Sequence, residues 1–347
     1  MVRDELIDAL RGFALFGILA VNIQCFTAGL GAPSLGILDA QSTLADHLTV
    51  LLTAFLLEFK FYPIFSFCFG YGFAVQTRRW AARGAPPGAR FTRRIDALLF
   101  MGILHGVLLW FGDILTRYAI AGYVLRRYAG HGPRRLLAAT RFWAIVTVAL
   151  MTVGAVLTAA ESMADRPGDA PARIQAQKEE GARVIAVYTQ GSYLAASMQR
   201  ASDFAVVTTG FLLLIPQIMV IFLLGALAAH LGLLRHPERH RRFWTRMMRL
   251  GLWIGIPVNL VHAWQQWQAS QHPWDTSQSV VSMLAGDLAP TLSLVLVATF
   301  ALYGASRPGK QLVRMLAPAG RLALTLYVAQ SLAMALLLNG FALGLGA

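Results

Sequence analysis

The sequence predicts an all-α protein, a polytopic transmembrane bundle of about nine spans with a cytoplasmic N-terminus. Three observations carry that expectation. Apolar residues make up 56% of the chain and charged residues only 14%, where a soluble domain carries about a quarter charged. Apolar runs such as 206–233 and 283–304 reach the roughly twenty residues that cross about 30 Å of hydrocarbon at about 1.5 Å per residue. The basic residues fall between such runs, and mostly between alternate ones. Helices follow because a backbone facing lipid must satisfy its own hydrogen bonds. A barrel would need short alternating segments instead of long continuous ones.

Taken in order, the runs place spans at 8–29, 54–76, 95–112, 114–130, 142–160, 206–233, 247–267, 283–304 and 319–341. Residues 47–57 form an extra apolar stretch, read as an interfacial or tilted helix leading into the second span. The third and fourth spans are short and meet at Gly112 and Asp113, as a hairpin or a broken helix. With the N-terminus inside, twenty-three of the thirty Lys and Arg lie in segments 3–11, 78–94, 126–141, 235–249 and 307–321. Six lie outside, namely Arg117, Arg166, Arg173, Lys178, Arg183 and Arg200, and Lys60 sits in a span. That asymmetry sets the orientation and predicts a multi-pass protein of the bacterial inner membrane. It also accounts for the net charge of +13 without nucleic acid, for which no recognition motif is present. Residues 161–205 form the one sizeable extracytoplasmic loop, polar and partly helical, within a single domain, 1–347. Acidic residues precede the first span and no cleavage site closes it, so it reads as a span and not as a cleavable signal. Cys25 and Cys68 sit in apolar runs as small core residues, with no metal implied.

A few ionisable and polar residues interrupt the spans. Asp8, Arg11 and Asn22 fall near one face of the first helix, with Asn22 about 16 Å beyond Arg11. Arg11 is either a topogenic anchor or a fork that meets a ligand anion. Arg321 repeats that logic at the start of the last span, and the two arginines together suit a phosphate-bearing ligand. Asn22 either bonds a neighbouring helix or faces substrate. Lys60 either snorkels to the interface or lines the outer half of a binding path with Trp110. Ser66, with Gly70 and Gly72, permits close helix approach or contacts substrate. His105 lies inside the third span, where an ionisable group is a functional candidate and an imidazole can take and return a proton. His230 and His262 are lesser candidates. Asp113 either caps the fourth span or orients a base. Gln330, with Thr325, Tyr327 and Ser331, adds polar groups to the last span. Walker, G-x-S-x-G, H-E-x-x-H and dinucleotide-binding motifs are absent, and with them any ATP-driven or zinc-dependent reading.

Four segments carry a resemblance: IDALRGFALFGILAVNI at 7–23, KFYPIFSFCFGYGF at 60–73, LHGVLLWFGDIL at 104–115 and AGRLALTLYVAQS at 319–331. In their order and spacing the chain resembles the YeiB-like family of bacterial inner-membrane proteins, catalogued as a domain of unknown function. That family is remotely similar to transmembrane acyltransferases such as heparan-glucosaminide acetyltransferase and the bacterial sugar O-acyltransferases, sharing an L-R-G element in the first span. The resemblance implies acetyl-CoA or another acyl-CoA as cytoplasmic donor, a small-molecule or glycan acceptor on the far side, and an intramembrane histidine. Asn22 stands where the sugar O-acyltransferases have a first-span histidine, which moves the catalytic expectation to His105. The expected function is therefore an integral membrane acyltransferase. Arg11 and Arg321 would hold the donor, His105 and Asp113 would carry the chemistry, and Asn22, Lys60, Ser66, Trp110 and Gln330 would face the acceptor. The alternative is a small-molecule transporter or exporter whose polar residues form a proton relay. A structural subunit of an envelope complex is a third reading. The acceptor, the acyl chain and any homo-oligomer stay open.

Overall fold

A computed structural model describes residues 5–23, 25–30, 38, 42–164, 170–271, 280–304 and 306–346. Among them every regular element is helical. In chain order these are α1 (Glu5–Asn22), α2 (Cys25–Ala28), α3 (Leu44–Leu56), α4 (Phe61–Ala81), α5 (Pro87–Leu108), α6 (Ile114–Leu125), α7 (Pro133–Ala164) and α8 (Ala170–Gln190). There follow α9 (Tyr193–Phe211), α10 (Ile215–Leu231), α11 (Arg241–Gln271), α12 (Val280–Leu288), α13 (Ser293–Tyr303), α14 (Arg307–Arg321) and α15 (Ala323–Leu338). Arg3 and Arg166 lie outside the described residues.

The helix ends follow local chemistry. Thr43 and Asp46 form a reciprocal capping box before α3, which satisfies two donors that the first turn leaves open. Ser192 and Ser306 cap α9 and α14, and Gly232 closes α10 in the left-handed conformation. The break expected at Gly112 and Asp113 is a hairpin. Thr116 lies against Gly102, and Ile95 against Gly122, so α5 and α6 run antiparallel.

Every expected span contains a helix, and the apolar stretch at 47–57 is α3. Fewer helices than nine, however, are long and apolar enough to cross a membrane. The stretches Leu44–Ala81, Pro133–Ala160, Tyr193–Leu231 and Val280–Tyr303 qualify, and α14 with α15, bent by 75°, makes a fifth if counted as one. The others fall short for local reasons. Charges crowd α1 (Glu5, Asp8 and Arg11) and α5 (Arg90, Arg93, Arg94 and Asp96), α6 has 12 residues, and α11 mixes His and Gln into its apolar half.

One apolar cluster runs from Leu6 of α1 to Tyr327 of α15. One of its closest contacts is between α4 and α10. A Cβ on Gly70 would collide with the Phe222 carbonyl, and one on Gly225 with the Phe67 carbonyl, so both backbones approach as only glycine allows. The outer surface is apolar too. Residues 141–160 of α7 include none that is buried, and Ile145, Val148, Val156 and Trp253 are more than half exposed. Apolar area on that scale has lipid as its natural solvent.

The segment 161–205, expected to be partly helical, holds α8 and the first two-thirds of α9 among its described residues. Helix α9 packs on the end of α5: the Tyr193 hydroxyl donates to the Leu108 carbonyl at 3.1 Å, and Phe204 covers Gly106.

Candidate functional site

The α5–α6 hairpin brings His105 and Asp113 together. Both side chains are almost wholly buried, and His105 Nδ1 stands 2.9 Å from Asp113 Oδ1. The contact is bent from good hydrogen-bond geometry, as often happens before substrate tightens a site. The other carboxylate oxygen, Oδ2, accepts the Thr116 backbone N–H at 2.6 Å and caps α6. The capping reading of Asp113 is thus met by Oδ2, while Oδ1 is left facing His105. Around this turn Arg117, on the next helical turn, donates to the carbonyls of Asp113 (2.6 Å) and Gly112, and its guanidinium lies over the Phe211 ring.

Tyr327 of α15 closes the site from the other side. Its ring centroid lies 4.8 Å from that of His105, and its hydroxyl accepts the Ile114 backbone N–H at 3.1 Å. Beside Tyr327 is a narrow cleft of about 10 Å³, lined also by Ile18, Leu19 and Asn22 of α1, Phe26, Trp110, Gln330 and Ser331. It has room for about one water molecule. Three residues expected at a substrate site, Asn22, Trp110 and Gln330, thus meet at one place. Trp110 stacks on Phe26 with centroids 4.0 Å apart. Two ring nitrogens, the Trp110 Nε1 donor at the cleft and His105 Nε2 on the ring packed against Tyr327, are buried without a hydrogen-bond partner. Such orphans are costly in a packed core and call for an explanation.

The arginines lie at the opposite end of α1. Arg11 pairs with Asp8 Oδ1 at 3.1 Å and donates to the Cys68 carbonyl at 3.1 Å. Arg321 reaches the second oxygen of Asp8 at 4.0 Å and Glu5 at 3.9 Å. One buried carboxylate therefore holds both expected arginines at one level. Helix α1, crossing between the two ends, separates them from Asn22 by about 16 Å.

Two expected site residues go elsewhere. Lys60 is fully buried in the turn before α4 and donates to the Ala54 carbonyl at 2.7 Å, so it neither snorkels nor lines the cleft with Trp110. Ser66 is 2.6 Å from the Tyr118 hydroxyl in the α4–α6 contact, where its small size lets the helices close. Sequence reasoning named His262 as a lesser candidate but missed its partner: in a second, part-buried pair, His262 Nε2 stands 2.9 Å from Glu58, which Gln266 joins at 3.2 Å. A lone acid in TAFLLEFKF was its signal. Also missed was buried Arg200, 3.4 Å from the Val107 carbonyl. Arg117, four residues after Asp113 in an apolar run, could have been found by its spacing.

Among the described residues the fold is all-helical, with four to five stretches long and apolar enough to cross a membrane and a buried histidine–carboxylate pair at a helical hairpin. Residues 228–347 match the family described as Protein of unknown function (DUF418). The chain is 30% identical to "Uncharacterized protein YxaH" of Bacillus subtilis over 99% of its own length and 83% of that protein. It is also 30% identical to "Uncharacterized protein YeiB" of Escherichia coli, over 38% of this chain and 33% of that protein. An uncharacterized 39.9 kDa protein of Bacillus acidopullulyticus is 38% identical over 35% of this chain and 33% of its own. The chain belongs to this YeiB-like DUF418 family. No solved structure matches it.

Proposed function

We propose that the protein is an integral inner-membrane acyltransferase of nine spans with its N-terminus in the cytoplasm. It moves an acyl group, most simply acetyl, from cytoplasmic acyl-CoA to an acceptor hydroxyl or amine at the outer side. One observation carries the reading: His105, facing Asp113, keeps Nε2 without a hydrogen-bond partner on a ring packed against Tyr327, which lines the cleft, while the arginines gather at the other end of α1. An acyl donor with phosphates at one end and a thioester at the other matches that separation.

The chemistry follows from the pair. Asp113 favours the proton on Nδ1, which leaves the lone pair of Nε2 for the acceptor. Nε2 takes the acceptor's proton as its oxygen or nitrogen attacks the thioester carbonyl. The C–S bond then breaks, and the imidazolium returns the proton to the leaving thiolate. The positive charge formed in between faces the Asp113 carboxylate across 2.9 Å, in a setting where such a charge would otherwise be expensive. Trp110 Nε1 is a donor available to the acceptor or the carbonyl oxygen. Arg11 and Arg321 hold the donor's phosphates as charge-assisted hydrogen-bond donors.

The test is purified protein with labelled acetyl-CoA and fractionated envelope glycans or small amines. Transfer that falls by about 10²–10⁴ in His105→Ala supports the proposal. No CoA binding together with unchanged transfer in His105→Ala sinks it.

A second reading, an exporter with a proton relay, draws on two features: the Glu58–His262 pair and the 75° break between α14 and α15. Broken helices and buried ionisable pairs are common in transporters. Proton-coupled flux in liposomes, lost in Glu58→Gln and kept in His105→Ala, would favour it over acyl transfer.

A further inference from the structure

The arginine end holds more than the two cations anticipated from sequence. Helix α5 returns beside α4 and sets Arg94 against Gln76, whose Oε1 accepts an N–H of Arg94 at 2.5 Å. That bond turns the other end of the Gln76 amide, its Nε2 donor, the opposite way. It turns toward Gly72. A Cβ built on Gly72 would stand 3.0 Å from Arg11 Nη2 and 3.6 Å from Gln76 Nε2. Two nitrogen donors from different helices therefore converge on the one place along this face of α4 where a side chain is missing. The Arg94 and Arg11 charges also oppose each other. Like charges held together at the edge of an apolar bundle favour a counter-anion. Asp8 already divides its two oxygens between Arg11 and Arg321, and Arg94 pairs with a neutral amide.

We propose that Arg11, Gln76 and Arg94 form a phosphate seat over Gly72, a site for a phosphate mono- or diester. The donor geometry selects the class. A guanidinium fork matches two oxygens of one phosphate, and an amide N–H adds a third donor. The bare glycine lets the anion approach the backbone. The inference rests on the acyltransferase reading for the ligand's identity, in which the phosphates are those of CoA. It goes beyond that reading in making Arg94, from α5, the specificity residue, with Gln76 as the positioning residue that orients it. Since His105 lies in the last turn of α5, one helix would carry the phosphate contact near its start and the base near its end.

The experiment measures binding of CoA, dephospho-CoA, inorganic pyrophosphate and pantetheine to the full chain in nanodiscs, for wild type, Arg94→Gln and Gly72→Val. Wild type is expected to bind CoA at least tenfold more tightly than pantetheine, with affinity falling as salt rises. Arg94→Gln and Gly72→Val should each lose about tenfold for CoA and pyrophosphate and leave pantetheine unchanged. Because Gly72→Val retains every cation, a loss there reports the seat and not net charge. Melting temperatures within a few degrees of wild type show that both variants are folded; if Gly72→Val is not, Gly72→Ser replaces it. Unchanged CoA and pyrophosphate affinity in both variants overturns the seat, even if His105-dependent transfer is present. Arg94-dependent pyrophosphate binding without acyl transfer keeps the seat and removes the acyltransferase. Nanodiscs with and without phosphatidylglycerol separate the sources. Arg94-dependent binding of that lipid, with no CoA binding, assigns the seat to a headgroup.

Discussion

Asp113 is where structure and chemistry separate most cleanly by substitution. Asp113→Asn keeps an oxygen for the Thr116 N–H and removes the negative charge facing His105. It should retain most of the stability of α6 and lose most of the activity. Asp113→Ala loses the cap as well, at a further cost of about 1 kcal/mol, readable as a lower melting temperature than that of the Asn variant. Equal melting temperatures for the two would remove the capping role. At this scale much was legible. Asp113 opens an apolar helix, where a capping acid belongs, and His105 stands eight residues earlier in an uncharged run, so both draw the eye. The Asp8–Arg11 pair follows from a spacing of three. Lys60 was not legible in the same way, because its partner is the Ala54 carbonyl across a turn in which Phe59 takes a positive φ of 61°. No side-chain pattern announces a backbone partner. Nor does the sequence alone say that Tyr327, one of several polar residues in the last span, is the one against His105.

At the level of elements, the α4–α10 contact should tolerate little added bulk. Gly70→Leu places a side chain where the Phe222 carbonyl already lies. The expected cost is about 3 kcal/mol or more, seen as aggregation in detergent or a large fall in melting temperature. Gly84→Ala, which meets nothing within 4 Å, should cost far less, only the strain of its positive φ of 69°. Helix positions were legible because apolar runs, Pro at first turns and Ser or Thr caps all agree. Their ends were less so. Helix α5 begins at Pro87, several residues before the apolar run, because arginines form good helix at the membrane edge. Helix α9 extends the sixth apolar run backward through residues whose polarity suggested a loop. Beyond the α5–α6 hairpin, which helices touch could not be read, since the glycines that mark contacts do not name their partners.

At the scale of the whole molecule, the proposed topology places residues 82–86 and 126–132 inside and 165–192 outside. Single cysteines at Gly84 and Gly191, in a background without Cys25 and Cys68, should label from opposite sides of intact cells. Gly84 should be blocked only after permeabilisation. Labelling of both from outside would overturn the orientation, and with it the cytoplasmic origin of the donor. The whole-molecule view also gives the elbow at Leu322 a meaning in time. Arg321 is on one arm of that elbow and Tyr327 on the other, with Tyr327 bonded to the hairpin that carries His105. The cleft is about 10 Å³, too small for an acyl group, so the proposed donor would enter only if a lining helix moved, and α15, hinged at the 75° bend, is the one that carries Tyr327. A shift large enough to admit it lifts the tyrosine from the imidazole. Entry of the donor and uncovering of the base are then a single event. In kinetic language, acyl transfer by this route predicts that the two substrates add in compulsory order, so initial-rate patterns that show random addition would overturn the coupling.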